Sequence, residues 1–359
     1  MAAAVNRPVQ PGASKMLRRA LGLAAAALVA ASPAWAADAD GCRQQASPAC
    51  YQALTLPDGG GTLHYYASLP DGATPGRAVV ALHGHPRDAD RTFDATLAAV
   101  RLAGASNDVL VIAPVFQVSA DRAASCSAPG TPAAQEGDLL WTCASWIEGG
   151  RAANFAQPTS FAVLDAVVAD VARRWPALRG ITVAGFSAGA QMVQHAIGFA
   201  RPPSPGPVLR YLVSDPGTWL YFDPFPAPPT PPASPAADAD ACPDLDRWKY
   251  GTADLPAALG RSAAEARARY AAADITYMAG ALDDADRPGA YYRILDKSCA
   301  ARAQGPFRLQ RAQAYAAYDR AMLSPNRPRP LIVVPGCAHD VACVFPSPAA
   351  RGALLGPAR

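Results

Sequence analysis

The sequence contains little that would indicate a membrane protein, a metal protein or a repeat protein. After residue 36, no stretch is long and apolar enough to cross a bilayer, and no segment recurs at a fixed period. The chain has five histidines and no His-x-x-x-His pair, and its cysteines form no paired Cys-x-x-Cys spacing. Because structural zinc sites use such spacings, we expect no metal, and no motif indicates a cofactor.

The first 36 residues have the pattern of a secretory signal peptide. A basic cluster between Lys15 and Arg19 precedes an apolar run over residues 20–31, and Ala34-Trp35-Ala36 then provides small residues for cleavage. The apolar run is too short to span a bilayer comfortably. We therefore predict a signal peptide over residues 1–36, an exported protein that is periplasmic or extracellular, and no membrane anchor.

A strong charge of one sign is also absent once this segment is removed. The whole chain has a formal net charge of +3, but residues 1–36 hold four basic side chains and no acidic one. The net charge of the remaining chain is lower by four, at −1. A nearly neutral protein has no electrostatic basis for binding nucleic acid or an anionic membrane, so we expect neither partner.

All eight cysteines lie after the predicted cleavage site. An even number of cysteines in an exported chain indicates disulfides, because the compartment is oxidising. The sequence alone leaves the connectivity open. Proximity along the chain suggests the pairs Cys42–Cys50, Cys126–Cys143, Cys242–Cys299 and Cys337–Cys343.

Short apolar segments alternate with helical segments along most of the chain. Helices are predicted at residues 159–175, 190–199 and 309–323 from their apolar periodicity. Strands are predicted at Leu63–Ser68, Ala78–Leu82, Val109–Phe116, Ile181–Ala184, Val208–Ser214, Ile275–Ala279 and Leu331–Val334. This alternation is typical of an α/β protein with a mostly parallel central sheet flanked by helices, and we expect one domain over residues 37–359.

One short stretch has a sequence suited to nucleophilic catalysis. A strand leads into Gly185-Phe186-Ser187-Ala188-Gly189, and the predicted helix at residues 190–199 follows without a break. A strained turn between them needs residues without bulk, which Gly185 and Gly189 supply. Such a turn lifts the Ser187 hydroxyl clear of the sheet at a helix N-terminus, so Ser187 is the candidate nucleophile.

A serine nucleophile needs a base, and a carboxylate that orients the base. His339 follows the last predicted strand, and the loops after parallel strands meet at one edge of a sheet, so His339 can reach Ser187. The acid is expected between serine and histidine in chain order, after an intervening strand. Asp283 lies three residues after Gly280 and is the predicted acid, with Asp284 as the alternative.

The turn His83-Gly84-His85-Pro86 is a candidate for the second half of an oxyanion hole. Gly84 allows close approach of the backbone, and the His85 N–H can point at a substrate carbonyl beside the N–H of Ala188. A cis bond before Pro86 would hold such a tight turn. The two histidines of this turn could instead bind a metal, but adjacent carboxylates are not spaced to complete that site.

A long proline-rich stretch interrupts the alternation at about residues 216–273. Its prolines exclude a helix or a central strand, and the alternation resumes after it, so we interpret it as a lid insertion rather than a linker. Trp219, Tyr221 and Phe222 lie near its start. Two interpretations of these aromatic residues stay open: a small core of the insertion, or an apolar substrate-binding wall over the active site.

Taken in this order, the motifs resemble those of the α/β-hydrolase family. The resemblance rests on the His83–Pro86 turn, the Gly185–Gly189 turn, the Asp283 loop and His339, and it covers roughly residues 63–345. It implies an α/β-hydrolase fold and an esterase that forms an acyl-enzyme, similar to secreted esterases and polyester depolymerases. An ester-bearing small molecule or polymer is then the expected substrate, and a peptidase or amidase with the same residues is the alternative.

Overall fold

The computed structural model describes residues 41–224 and 242–357. The predicted signal peptide over residues 1–36 and most prolines of the predicted insertion lie outside these residues. Within the part that is described, no helix is both long and apolar enough to cross a membrane.

The described residues contain ten strands and nine α-helices. The strands are β1 (Tyr51–Thr55), β2 (Thr62–Ala67), β3 (Arg77–Leu82), β4 (Val109–Val115), β5 (Gln117–Val118), β6 (Leu140–Trp141), β7 (Gly180–Phe186), β8 (Val208–Ser214), β9 (Ile275–Gly280) and β10 (Leu331–Val334). The helices are α1 (Ala89–Leu102), α2 (Ala120–Ala123), α3 (Ser160–Arg174), α4 (Ala188–Ala196), α5 (Ala263–Ala272), α6 (Cys299–Ala303), α7 (Arg308–Tyr318), α8 (Val341–Val344) and α9 (Pro348–Leu355).

Eight of the strands form one sheet in the order β1-β2-β4-β3-β7-β8-β9-β10. The pairs β1–β2 and β2–β4 are antiparallel, and all the other neighbours are parallel. At the centre, Leu82 of β3 pairs with Gly185 of β7, and Phe186 pairs with Ser214 of β8. Parallel neighbours need long crossovers, which helices supply here. The predicted mostly parallel sheet with flanking helices is confirmed.

The central strands are apolar at nearly every position because both faces of the sheet are covered. All seven residues of β4 are buried, as are all seven of β7. On one face, α1 and α9 pack through residues such as Phe93 and Leu354. On the other face, α3 and α4 pack through residues such as Val167 and Met192. The buried sheet therefore supports the loops at its edges from a well-packed core.

Four disulfides link the cysteines of the described residues. They join Cys42 to Cys50, Cys126 to Cys143, Cys242 to Cys299, and Cys337 to Cys343. These are the pairs that proximity along the chain suggests.

The loops that follow the parallel strands meet at the carboxyl edge of the sheet. The polar residues that follow β3, β7, β8, β9 and β10 are, in that order, His83, Ser187, Asp215, Asp283 and His339. Three of these residues are the predicted nucleophile, acid and base.

Candidate active site

Ser187 lies at the tip of a sharp turn between β7 and α4. Its φ of 57° and ψ of −121° lie in a region that residues with a side chain rarely adopt. The Ser187 N–H donates to Ser214 O at 3.0 Å, which holds the turn against β8. A Cβ on Gly185 would lie 2.3 Å from Gly189 O, and a Cβ on Gly189 would lie 2.4 Å from Leu82 O. Both glycines are therefore required by the close approach of α4 to β3 and β7.

The variant Gly189→Ala should be destabilised by about 3 kcal/mol or more, because its Cβ would collide with two backbone oxygens of the β3 end. Urea unfolding followed by circular dichroism measures the change. Gly352→Ala is the matched control, since Gly352 lies in α9 and an added Cβ there meets nothing within 4 Å. Ala is the better helix former, so the control should be at least as stable as the wild type. Equal stability of the two variants would contradict the close contact of α4 with β3.

The structure brings Ser187, His339 and Asp283 together. His339 Nε2 lies 2.8 Å from Ser187 Oγ, and His339 Nδ1 lies 2.7 Å from Asp283 Oδ2. The Nδ1–H can thus donate to the carboxylate while Nε2 accepts the serine proton. Asp284, the alternative acid, instead pairs with Arg287 at 2.7 Å.

The surroundings keep the His339 imidazole neutral and the Asp283 carboxylate ionised. Burial, together with the positive charge of Arg308, lowers the pKa of His339 to about 4. Burial alone would raise the pKa of Asp283, but the hydrogen bond with His339 and the charge of Arg308 hold it below its ordinary value. At neutral pH, His339 can therefore accept a proton, and Asp283 can stabilise the imidazolium that results.

Backbone contacts hold the loops of Asp283 and His339 against each other. Leu282 N–H donates to Cys337 O at 2.8 Å, and His339 N–H donates to Gly289 O at 3.1 Å. The disulfide between Cys337 and Cys343 spans a separation of only 6 residues around His339. His339 is therefore held by its own loop and by the loop of Asp283.

The turn after β3 lies beside Ser187. A Cβ on Gly84 would be 3.7 Å from Ser187 Cβ, in ordinary contact. The Gly84 N–H is used by Asp88 Oδ1 at 3.1 Å. Within residues 41–224 and 242–357, the N–H groups of His85 and Ala188 meet no acceptor. These two donors, which the sequence predicts for the oxyanion hole, are thus available to a ligand oxygen.

The expectation of a cis bond before Pro86 is wrong. The cis peptide bonds of the described residues are Ser204–Pro205 and Trp248–Lys249. The turn is closed instead by Arg87, which has a φ of 58° and whose N–H donates to Gly84 O at 3.1 Å. A left-handed residue at this position tightens the backbone without a cis bond.

His83 has structural partners on both ring nitrogens. Phe116 N–H donates to its Nε2 at 3.2 Å, and its Nδ1 lies 2.8 Å from Gly84 O. Burial lowers the pKa of His83 to about 4, so the ring is neutral with its proton on Nδ1. Neither nitrogen has a free lone pair for a cation, which removes the metal-pair interpretation of His83 and His85.

A pocket of about 490 Å³ opens over Ser187 and His339. This volume is within the range of small-molecule sites. Its apolar wall consists of Pro86, Ala128, Pro129, Phe186, Tyr291, Ile294 and Val341. Its charged lining consists of Asp88, Asp90, Asp340 and Arg91. The pocket therefore combines a large apolar surface with an excess of carboxylates.

Trp219, Tyr221 and Phe222 do not line this pocket, so the substrate-binding wall predicted from them is wrong. All three are buried in the main core on one face of the sheet. The Trp219 ring stacks on Tyr315 of α7 at 4.4 Å, and the Phe222 ring packs on Tyr270 of α5 at 4.9 Å. Burial among other aromatic rings removes these side chains from water more fully than a pocket wall would.

Two ionisable residues beside Asp283 carry no sequence motif. Arg308 Nη1 lies 3.3 Å from Asp283 Oδ1 and donates to Ala290 O at 2.8 Å. Asp215 accepts from Gly280 N–H at 2.8 Å. Asp215 could have been suspected from its place directly after a predicted parallel strand, whereas no such signal marks Arg308.

Structural comparison places the fold among known proteins. No protein-family model matches the chain, and no curated protein matches its sequence. A poly(3-hydroxybutyrate) depolymerase from Bordetella parapertussis matches with a TM-score of 0.53 and 22% identity, over 81% of this chain and 84% of that one. A poly(aspartic acid) hydrolase from Sphingomonas sp. KT-1 matches with a TM-score of 0.53 and 18% identity, over 81% of this chain and 94% of that one. These similarities concern the fold, and they confirm that the chain has the predicted α/β-hydrolase fold.

Proposed function

We propose that this chain is an exported serine hydrolase that cleaves carboxylic esters through an acyl-enzyme intermediate. One observation carries the proposal: the continuous line of contacts from Ser187 Oγ through the His339 ring to Asp283 Oδ2, at 2.8 and 2.7 Å. The pocket over the serine and the N–H groups of His85 and Ala188 support the same role. The α/β-hydrolase fold agrees with it.

The proposed reaction begins as His339 Nε2 accepts the Ser187 proton while Oγ attacks the carbonyl carbon of the ester. The carbonyl oxygen becomes an oxyanion, which the N–H groups of His85 and Ala188 stabilise. His339 then gives its proton to the leaving alcohol, and the acyl group stays on Ser187. A water molecule, activated by the same imidazole, releases the acid. Asp283 stabilises the imidazolium in both halves of the reaction.

Turnover of p-nitrophenyl esters and of aminoacyl anilides tests the reaction class. A peptidase or amidase would use the same residues, but it must also place a leaving amine for protonation. We expect Ser187-dependent ester turnover and anilide turnover far below it. Ser187-dependent anilide turnover at or above the ester rate would make the protein an amidase. Failure to turn over either class across a range of acyl groups would remove the hydrolase proposal.

The charged lining of the pocket favours an uncharged ester. Asp88, Asp90 and Asp340 line it with one cation, Arg91, and Arg91 Nη2 already lies 2.7 Å from Asp340 Oδ1. An anionic acyl group would meet carboxylates and find no unpaired cation in this lining. A neutral ester or polyester, of the kind that poly(3-hydroxybutyrate) represents, therefore fits the pocket better than a polyanion such as poly(aspartic acid).

The kcat/KM for p-nitrophenyl butyrate should exceed that for mono-p-nitrophenyl succinate by about tenfold or more, because like charges repel in the pocket. Steady-state kinetics at low and high salt measures the ratio of the two kcat/KM values. Salt should lower this ratio because it screens the repulsion. Asp90→Asn should also lower the ratio. Asp286→Asn is the control, since Asp286 lies outside the lining. A preference for the succinate ester would contradict the proposed substrate class.

We expect the Cys337–Cys343 disulfide to fix the position of His339 more than it stabilises the whole fold. Its separation of 6 residues closes too short a loop to add much through chain entropy, whereas a misplaced base is expensive in rate. Replacing both cysteines with Ser should lower kcat by about tenfold or more while Tm falls by only a few degrees. Kinetics and calorimetry on the same sample measure both quantities. Replacing Cys42 and Cys50, a similarly short pair away from the pocket, is the control. A large fall in Tm with unchanged kcat would contradict the positioning role.

Export is proposed from the N-terminal pattern and from the four disulfides, which form in oxidising compartments. Expression of the full chain in a bacterial host, followed by cell fractionation and N-terminal sequencing, tests it. The mature chain should begin at Ala37 and be absent from the cytoplasm. A chain that keeps residues 1–36 and stays in the cytoplasm would contradict export.

A further inference from the structure

Asp215 is a buried carboxyl group with no role in the reaction described above. It follows β8 directly, its exposed fraction is 0%, and its backbone has a φ of 54°, which is uncommon for a residue with a side chain. Both oxygens have partners: Gly280 N–H donates to Oδ1 at 2.8 Å, and the Ser214 hydroxyl oxygen lies 2.8 Å from Oδ2, where it can also accept a proton held by the acid. The acid is thus held in one orientation at the carboxyl edge of the sheet.

Asp215 lies directly behind the acid and the base of the proposed triad. One oxygen of Asp215, one oxygen of Asp283 and one nitrogen of His339 lie within 4.8 Å of one another. Gly280, which Asp215 holds, is in turn an acceptor for the Asp283 N–H at 3.1 Å. Asp215 therefore supports the backbone from which the Asp283 loop starts.

The charges around Asp215 and Asp283 favour one ionised carboxyl group rather than two. The titratable groups that face Asp215 are Asp283, His339 and Arg308. His339 is neutral when it acts as a base, so the single guanidinium balances a single carboxylate. Burial, together with the negative charge of Asp283, raises the pKa of Asp215 to about 8, although the hydrogen bonds with Gly280 and Ser214 and the charge of Arg308 lower it in part. At neutral pH, Asp215 is the neutral member of the pair, and Asp283 carries the charge.

We propose that Asp215 and Asp283 form a carboxyl pair with a single negative charge, in which Asp215 positions the Asp283 loop and supplies the charge itself when Asp283 lacks one. The inference rests on the proposed serine-hydrolase function. When the Asp283 carboxyl is removed, the repulsion between the two carboxyl groups disappears, and Arg308 loses its carboxylate partner. Asp215 then releases its proton to solvent, balances Arg308 and stabilises the His339 imidazolium from its own position.

Kinetics of Asp283→Ala, with and without Asp215→Asn, test this role. Ala removes the carboxyl and offers no amide donor to His339 Nδ1, and Asn at position 215 keeps an acceptor for Gly280 but cannot ionise. Asp283→Ala should retain residual hydrolysis that rises with pH as Asp215 ionises. The double variant should be slower by about tenfold or more and should lack this rise. Equal rates and equal pH profiles in the two variants would overturn the proposal.

Asp284→Asn is the matched control, because Asp284 belongs to the same loop but pairs with Arg287 near the surface. It should keep the wild-type rate and pH profile. If Asp283→Ala fails to fold by circular dichroism, the pH dependence of the Tm of Asp215→Asn, which needs no activity, decides the proposal instead. If the wild-type protein shows no Ser187-dependent hydrolysis, the proposed function is refuted. Ser187-dependent hydrolysis with no difference between single and double variants would refute only the carboxyl pair.

The pH dependence of stability gives a second test that needs no activity. The native state holds the Asp215 proton more tightly than the unfolded chain, in which the pKa of aspartate is about 3.9. Stability is therefore lost as pH rises from that value through the native pKa of about 8. Asp215→Asn should remove this loss, so its Tm relative to wild type should rise between about pH 5 and pH 8. A constant difference in Tm over this range would show that Asp215 is already ionised in the native state, which would overturn the proposal.

Discussion

The variant Ser187→Ala should lose ester hydrolysis almost completely, with kcat lower by about 10⁴-fold to 10⁶-fold. Without Oγ, no acyl-enzyme can form, and only the pocket and the oxyanion donors remain to assist direct attack by water. The fold should survive, because Oγ has His339 Nε2 as its partner and the backbone of the turn is unchanged. Stopped assays with a p-nitrophenyl ester and circular dichroism measure the two properties.

Ser127 provides the control for this variant because it is another serine in the lining of the same pocket. Its hydroxyl contacts Arg87 at 2.8 Å and has no histidine partner among the described residues. Ser127→Ala should therefore change kcat by less than about tenfold. Comparable losses in the two variants would mean that a serine hydroxyl contributes by binding alone, and the proposed nucleophile would be wrong.

The variant His339→Ala should be about as inactive as Ser187→Ala, with kcat lower by about 10⁴-fold to 10⁶-fold. The serine hydroxyl is a poor nucleophile without a base, and the structure places no other histidine beside Oγ in the described residues. The double variant should be no worse than either single variant by more than about tenfold, because the two residues act as a unit. Single-turnover and steady-state kinetics of all three proteins provide the comparison.

The control for His339 is His64, whose Nδ1 lies 2.8 Å from Asp138 Oδ1 in a second buried His–Asp pair. No serine hydroxyl contacts this pair among the described residues. His64→Gln should therefore lower the free energy of unfolding and leave kcat within about tenfold of the wild type. For His339 and Ser187 themselves, a fall in kcat of the double variant equal to the product of the two single falls would mean that the residues act independently, which would contradict a shared mechanism.

The central strands could be predicted from the sequence because both faces of the sheet are covered, which demands continuous apolar runs. β8 and β10 have the predicted bounds, Val208–Ser214 and Leu331–Val334. No prediction covers β1 or α1. β1 is an edge strand with partly exposed residues, and α1 alternates small, polar and apolar residues without a long apolar run. Local sequence carries a weaker signal at such positions.

The triad candidates could be placed because a parallel sheet brings the loop after each strand to the same edge. Ser187, Asp283 and His339 all follow predicted strands. The reach from Gly280 favours Asp283 over Asp284, and in the structure Asp283 contacts His339 whereas Asp284 pairs with Arg287. Strand order and loop position therefore contain most of the information needed for these three residues.

The pocket wall and the meeting of Arg308 and Asp215 with Asp283 could not be predicted, because both arise from contacts between distant segments. Apolar composition does not distinguish a core side chain from a pocket wall. Trp219 is fully buried, whereas Tyr291, which lines the pocket, is 53% exposed. Arg308 comes from α7 and Asp215 from the end of β8, and only the folded chain brings them to Asp283.

Labelling with a fluorophosphonate probe, followed by peptide mapping of the modified residue, is a direct test of whether Ser187 is an activated nucleophile. Such probes react with a serine only when a base and an oxyanion hole activate it. We expect stoichiometric labelling on Ser187, abolished in Ser187→Ala and strongly slowed in His339→Ala. Labelling on another residue, or no labelling of a folded protein, would contradict the assignment of Ser187, His339 and Asp283 as a catalytic triad.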